Sequence, residues 1–152
     1  MIKKIVLAQN NDESRVLHLL NTKSNVNERD KSGYTALHYA SRNNHANICK
    51  ILLDRGADIN ATTRAGQATS LHRASLAGHY HIVKMLLNAN ANIMAQDADG
   101  RTALHRAVEN GSYEIIKLLL NHQPKLSFIK DSKNQLPIHL TNDEDILKLF
   151  KI

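Results

Sequence analysis

Four histidines, His38, His72, His105 and His139, lie 34, 33 and 34 residues apart, and each ends a version of one phrase: GYTALH, ATSLH, GRTALH and QLPIH. A second phrase keeps the same phase: HANICKILLDRGADIN at 45–60, HYHIVKMLLNANANIM at 79–94 and SYEIIKLLLNHQPKLS at 112–127. Thirty-three residues before the first of these stands DESRVLHLLNTKSNVN, at 12–27. A fixed period near 33 is the strongest constraint in the chain. It specifies short units that each bury an apolar face only against their neighbours, and so a stacked array.

Each unit reads locally as helix, turn, helix and an extended hairpin-like connection. Thr35, Thr69 and Thr102 precede small or apolar runs and suit helix N-caps. The short helix that follows ends near Asn44, Gly78 or Gly111, residue types that tolerate left-handed backbone. The next segment carries a one-faced apolar stripe: Ile48, Cys49, Leu52 and Leu53, then Ile82, Val83, Leu86 and Leu87, then Ile115, Ile116, Leu119 and Leu120. Gly-, Asn- and Asp-rich stretches between units suit turns.

The phrases G-x-T-A-L-H, A-G-H, I-V-K-x-L-L and G-A-D-I-N resemble the ankyrin repeat. The resemblance spans almost the whole chain, with its motifs in one order and phase. It implies an all-α ankyrin-repeat solenoid of about five stacked helix-turn-helix units joined by hairpin-like loops, the terminal units acting as caps. The units fall at 1–29, 30–62, 63–96, 97–130 and a shortened 131–152. The first has Ile5 in the histidine position and Arg15 where an inner unit has Ile48. In the last, Leu136 replaces Thr, and TNDE at 141–144 suggests a capping box with Thr141 as N-cap and Glu144 three residues on. With a cap at each end, the chain reads as complete. Thr63 replaces the Asp of the other units and an extra residue sits beside Ala68, so the third hairpin should be the least regular.

Cys49 is the only cysteine, which excludes an internal disulfide framework and points to a reducing compartment. No apolar run approaches a membrane span, and the stretch from Ile5 to Ala8 is too short for a secretory leader. A monomer in the cytoplasm, with the nucleus as a second location, is expected. Nine histidines invite a metal, but one per repeat at equal positions gives a ladder of neighbours roughly 10 Å apart, too far to share one zinc. Each imidazole is expected to tie one turn to the next through hydrogen bonds. Cys49 lies on the apolar stripe as an inert thiol. No phosphate-cradling glycine loop, nucleophile elbow or acid–base constellation occurs. No metal, cofactor or catalytic residue is assigned, and the chain is not expected to be an enzyme.

The resemblance implies a partner-binding surface on the concave side, built from hairpin tips and first helices. Carried over position by position, it selects Lys31, Tyr34, Tyr39, Arg42, Arg64, Arg73, Arg101, Arg106 and Glu109. Tyr and Arg dominate interface hot spots, and Arg forks favour carboxylates and phosphates. The expected function is a non-catalytic adaptor or scaffold that binds another protein through an acidic or phosphorylated segment. The competing reading is a nucleic-acid-associated protein using its net charge of +6. Dispersed lysines such as Lys50, Lys84 and Lys117, the absence of Trp and only six other aromatic residues (four Tyr, two Phe) speak against it.

Overall fold

The computed structural model describes residues 3–22 and 24–151. The outer bounds expected at Met1 and Ile152 lie outside them. Helices alternate in pairs: α1 (Lys3–Gln9) with α2 (Glu13–Asn21), α3 (Ala36–Arg42) with α4 (Ala46–Asp54), α5 (Ser70–Ala77) with α6 (Tyr80–Asn88), and α7 (Ala103–Glu109) with α8 (Tyr113–His122). A 3-10 turn at Pro124–Phe128 follows α8, and a second at Pro137–Leu140 pairs with α9 (Glu144–Leu149). No strand occurs among the described residues.

The threonines start the first helices as the sequence suggests. Thr35 and Thr69 adopt extended backbone, and their hydroxyls accept from the His38 and His72 amides. Leu136 has no hydroxyl and Pro137 follows it, so the last unit opens with a 3-10 turn in place of an α-helix. Between paired helices the chain reverses through left-handed residues, Asn11, Asn44, Gly78 and Gly111, at φ of 60°, 62°, 78° and 70°. Asn and Gly are the types that enter this region at low cost.

One expectation needs correction. The N-cap of α9 is Asp143, whose Oδ1 accepts from the Asp145 and Ile146 amides at 2.9 and 3.2 Å. The Thr141 hydroxyl accepts from the Asp143 amide at 3.1 Å, one step upstream. A carboxylate at a helix N-terminus gains from the exposed amides and the helix dipole, so Asp143 displaces the neutral hydroxyl.

Side-chain size bends the stack. First helices bury small residues, Ala36, Ala40, Ala74, Ala103 and Ala107, beside one leucine each, Leu37, Leu71 and Leu104. Second helices bury larger ones, Ile48, Leu52, Ile82, Leu86, Ile115 and Leu119. Helix separation follows the side chains at the contact, and the first helices pack more closely on one another than the second helices do. The stack therefore curves with the first helices inside. Each fully buried Leu or Ile contributes about 1.5–3 kcal/mol, so the second-helix stripe carries much of the stability and the alanine seam sets the shape.

Candidate functional site

The hairpin tips form a row along the stack, joined to one another through backbone, and aspartates set their shape. Asp30 Oδ1 accepts from the Ser32 and Tyr34 amides, each at 2.9 Å. Asp97 Oδ1 takes the Asp99 and Arg101 amides at 3.0 Å, and Asp131 Oδ1 those of Lys133 and Gln135 at 2.9 Å. Neighbouring tips join through backbone: the amides of Arg64, Ala98 and Ser132 donate to the carbonyls of Ser32, Gly66 and Asp99, each at 2.9 Å. Thr63 sets the third tip alone, its hydroxyl accepting from the Ala68 amide at 3.2 Å. That loop is one residue longer than its neighbours, and Gln67 takes the left-handed conformation at φ 46°. It is the irregular hairpin the insertion led us to expect.

The histidines brace the tips from behind. His38 Nδ1 accepts from the Thr35 amide at 3.1 Å, and its Nε2 donates to the Ala68 carbonyl of the next unit at 3.0 Å. His72 repeats this with Thr69 and Arg101, and His105 with Thr102 and Gln135. An amide can only donate and a carbonyl can only accept, so the geometry fixes the neutral tautomer with its proton on Nε2. Burial holds all three imidazoles below their ordinary pKa, His38 at about 4. His139 is exposed, and its Nδ1 accepts from the Leu136 amide at 3.2 Å.

A second set of ties escaped the sequence reading. His45 and His79, at the starts of α4 and α6, reach back to the Gln9 and Arg42 carbonyls at 3.0 and 2.9 Å. Asn27 and Asn60 accept from the Asp58 and Asn92 amides of the following units at 2.7 and 2.8 Å. The signal was available in the recurring H of A-G-H and the final N of G-A-D-I-N.

The second oxygen of each tip aspartate decides what the nine selected residues can offer. Asp30 Oδ2 accepts from the Tyr39 hydroxyl at 2.9 Å. Asp97 Oδ2 accepts from Arg106 Nε at 2.8 Å, and Asp131 Oδ2 from Arg101 Nε at 3.1 Å. Arg106 also holds Asp99 at 2.7 Å and Glu109 at 2.9 Å, and Glu109 contacts Arg101. Burial opposes the charge on Arg106, but the hydrogen bonds it donates to Glu109, Asp99 and Asp97 outweigh it and hold the guanidinium firmly protonated. Arg101 and Arg106 are thus 14% and 17% exposed, locked in an ion network with Glu109.

Lys31, Arg42 and Arg64 instead stand exposed with no ion pair among the described residues. Arg73 occupies the position of Tyr39 and Arg106, but its tip residue is Thr63. Its Nε is buried without a hydrogen-bond partner among the described residues, and its guanidinium carbon lies 5.0 Å from the Tyr34 ring centre. Tyr34 in turn packs on Tyr39 with ring centres 5.1 Å apart. An open cleft of about 370 Å³ brings Arg73 and Arg106 together with Gly66, Leu76, Ala98 and Asp99.

Comparison with known proteins decides the family. The family model described as ankyrin repeats (3 copies) matches residues 5–97 and again 71–150. The chain belongs to the ankyrin-repeat family. Ankyrin repeat domain-containing protein 39 of Homo sapiens is 48% identical over 56 residues, 37% of this chain and 31% of that protein. Palmitoyltransferase akr1 of Schizosaccharomyces pombe is 54% identical over 39 residues, 26% of this chain and 6% of that protein. Putative ankyrin repeat protein FPV034 of Fowlpox virus is 43% identical over 60 residues, 40% of this chain and 14% of that protein. Each alignment spans less than a third of the relative's own length.

Ankyrin repeats are protein–protein interaction modules and are not themselves catalytic. Within this ankyrin array, burial pushes the Cys49 thiol up to about 11, and Ser41 Oγ lies 3.6 Å from its sulfur. A thiol so placed is a core side chain and not a nucleophile. Among the described residues no three His, Cys, Asp or Glu side chains converge on a metal position. No helix there is long and apolar enough to cross a membrane.

Proposed function

We propose that this ankyrin array is a non-catalytic adaptor or scaffold that holds a partner protein on its concave face. The observation that carries the reading is the double bracing of the tip row, by aspartates from within and by histidines from the neighbouring unit. A surface fixed in this way loses little conformational freedom on binding. Lys31, Tyr34, Arg42, Arg64 and Arg73 are its adaptable contacts. Tyr39, Arg101, Arg106 and Glu109 form the hydrogen-bonded plates between them. The open cations favour an acidic segment of the partner.

The nucleic-acid reading receives less support. Lys50, Lys84 and Lys117 lie exposed on the second helices, away from the tips that carry Lys31 and Arg64. Two of the arginines on the tip side are already neutralised by carboxylates. A phosphate-tracking surface needs a contiguous basic stripe. A cytoplasmic or nuclear monomer remains the setting we propose.

The test is affinity capture from cell extract by three forms of the protein: wild type, Lys31→Glu/Arg64→Glu and Lys50→Glu/Lys84→Glu. Arg106 is avoided because reversing it would disrupt the ion network. Proteins kept by wild type and the second-helix variant but lost from the tip variant support the reading. Loss only from the second-helix variant, or recovery of nucleic acid with salt-sensitive retention, contradicts it.

A further inference from the structure

We propose that Arg73 is the anchor for a single partner carboxylate, an Asp or Glu side chain that enters the cleft between the third and fourth repeats. The proposal rests on the concave-face reading above and specifies its central contact. In the second and fourth units the residue after the histidine spends its polar group on the tip aspartate: Tyr39 on Asp30, Arg106 on Asp97. In the third unit Thr63 has one oxygen, and the Ala68 amide uses it. Arg73 is left with a buried, unpartnered Nε and no ion pair among the described residues. A desolvated Nε–H without an acceptor is costly, and a carboxylate brought to the half-exposed guanidinium recovers part of that cost.

The surroundings shape the opening for such a group. Tyr34 supports the guanidinium from one side with a cation–π contact at 5.0 Å. A side chain at Gly66 would begin 3.4 Å from the Thr63 hydroxyl and 3.7 Å from an Arg73 terminal nitrogen, so glycine keeps that edge clear. Exposed Leu76 supplies an apolar rim for the residue next to the partner's acid. Charge selects the class of anion. Asp97 and Asp99 share the cleft and are both paired with Arg106, which leaves Arg73 as the one cation of the lining without an ion pair among the described residues. A monoanionic carboxylate matches the single charge of that guanidinium, whereas a phosphate dianion would bring a second negative charge beside Asp97 and Asp99, which Arg106 alone already has to neutralise.

Thr63→Asp provides a decisive variant. It restores the aspartate of the other units, and so offers Arg73 an internal partner without weakening the fold. The probe is N-acetyl-glutamyl-leucine methylamide, compared with its glutamine counterpart and with inorganic phosphate. The readout is the Arg73 Nε–Hε cross-peak in nitrogen-15 NMR. The glutamyl probe is expected to shift that signal saturably, with the glutamine probe and phosphate each about tenfold weaker. Thr63→Asp should move the signal before any addition and abolish the response, with an unchanged or raised Tm; Arg73→Gln, read by the backbone amides of Gly66 and Ala98 that line the cleft, should show no saturable response to the probe. No saturable shift, equal response to the glutamine probe, stronger binding of phosphate, or full binding by Thr63→Asp each overturns the proposal. If the anchor fails while Lys31→Glu/Arg64→Glu still loses the captured partner, only the anchor falls; if both fail, so does the concave-face reading.

Discussion

The Nε2–H of His38 donates to the carbonyl of Ala68, thirty residues on, at 3.0 Å. With Nδ1 occupied by the Thr35 amide, the ring has no position for a second proton. The same arrangement at His72 and His105 puts a buried base into three of the joints between repeats. Stability and surface shape therefore share one chemical dependence.

The first prediction concerns pH. Above pH 6.5 these imidazoles are neutral in both the folded and unfolded chain. Below it the unfolded chain binds protons that the folded chain refuses, so stability falls as pH falls, down to about pH 4 where His38 itself titrates in the fold. His38 alone should cost about 2 kcal/mol between pH 7 and pH 5. Urea midpoints for wild type should drop over that range, and His38→Gln should show a smaller drop from a lower starting point. An equal drop in both would remove His38 from the account.

The second separates backbone strain from close approach. Gly56 and Gly100 both have positive φ, 80° and 71°. A Cβ at Gly56 would meet nothing within 4 Å among the described residues, whereas one at Gly100 would lie 2.8 Å from the Ser132 amide nitrogen. That amide carries the tip-to-tip bond to Asp99. Gly56→Ala should cost about 1 kcal/mol and Gly100→Ala about 2–4 kcal/mol, read by denaturant unfolding. Equal costs would mean that the tips do not dock as described.

The third concerns Arg106. Its removal leaves Asp97, Asp99 and Glu109 facing one another without their shared cation. Because the cluster is partly solvated, Arg106→Ala should cost roughly 1–3 kcal/mol, against less than ~0.5 kcal/mol for the solvated Lys50→Ala. Matching melting curves for the two variants would contradict the network.

The architecture was legible because its cause is periodic: a motif that recurs every 33 or 34 residues announces both the helix pairs and the stacking. Thr35, the left-handed residues Asn44 and Gly111, and the stripe at Ile82 all read correctly from local chemistry. Two things were less legible. The cap of α9 turned on competition between a hydroxyl and a carboxylate two residues apart, and proximity to the exposed amides gave it to Asp143. The site was harder still. Arg73 and Arg106 are equivalent in sequence, and only the identity of a residue nine or ten positions upstream, Thr63 or Asp97, separates an open guanidinium from a neutralised one. The pairing was visible in the spacing once the tip aspartate was known to present its second oxygen to that helix position.

Amide hydrogen–deuterium exchange, with and without the captured partner, tests the central claim most directly. Binding should slow exchange at the tips around 31–34, 64–68 and 98–101 and along α3, α5 and α7, while α4, α6 and α8 keep their free-state rates. Protection confined to the second helices, with the tips unchanged, would contradict the concave-face account.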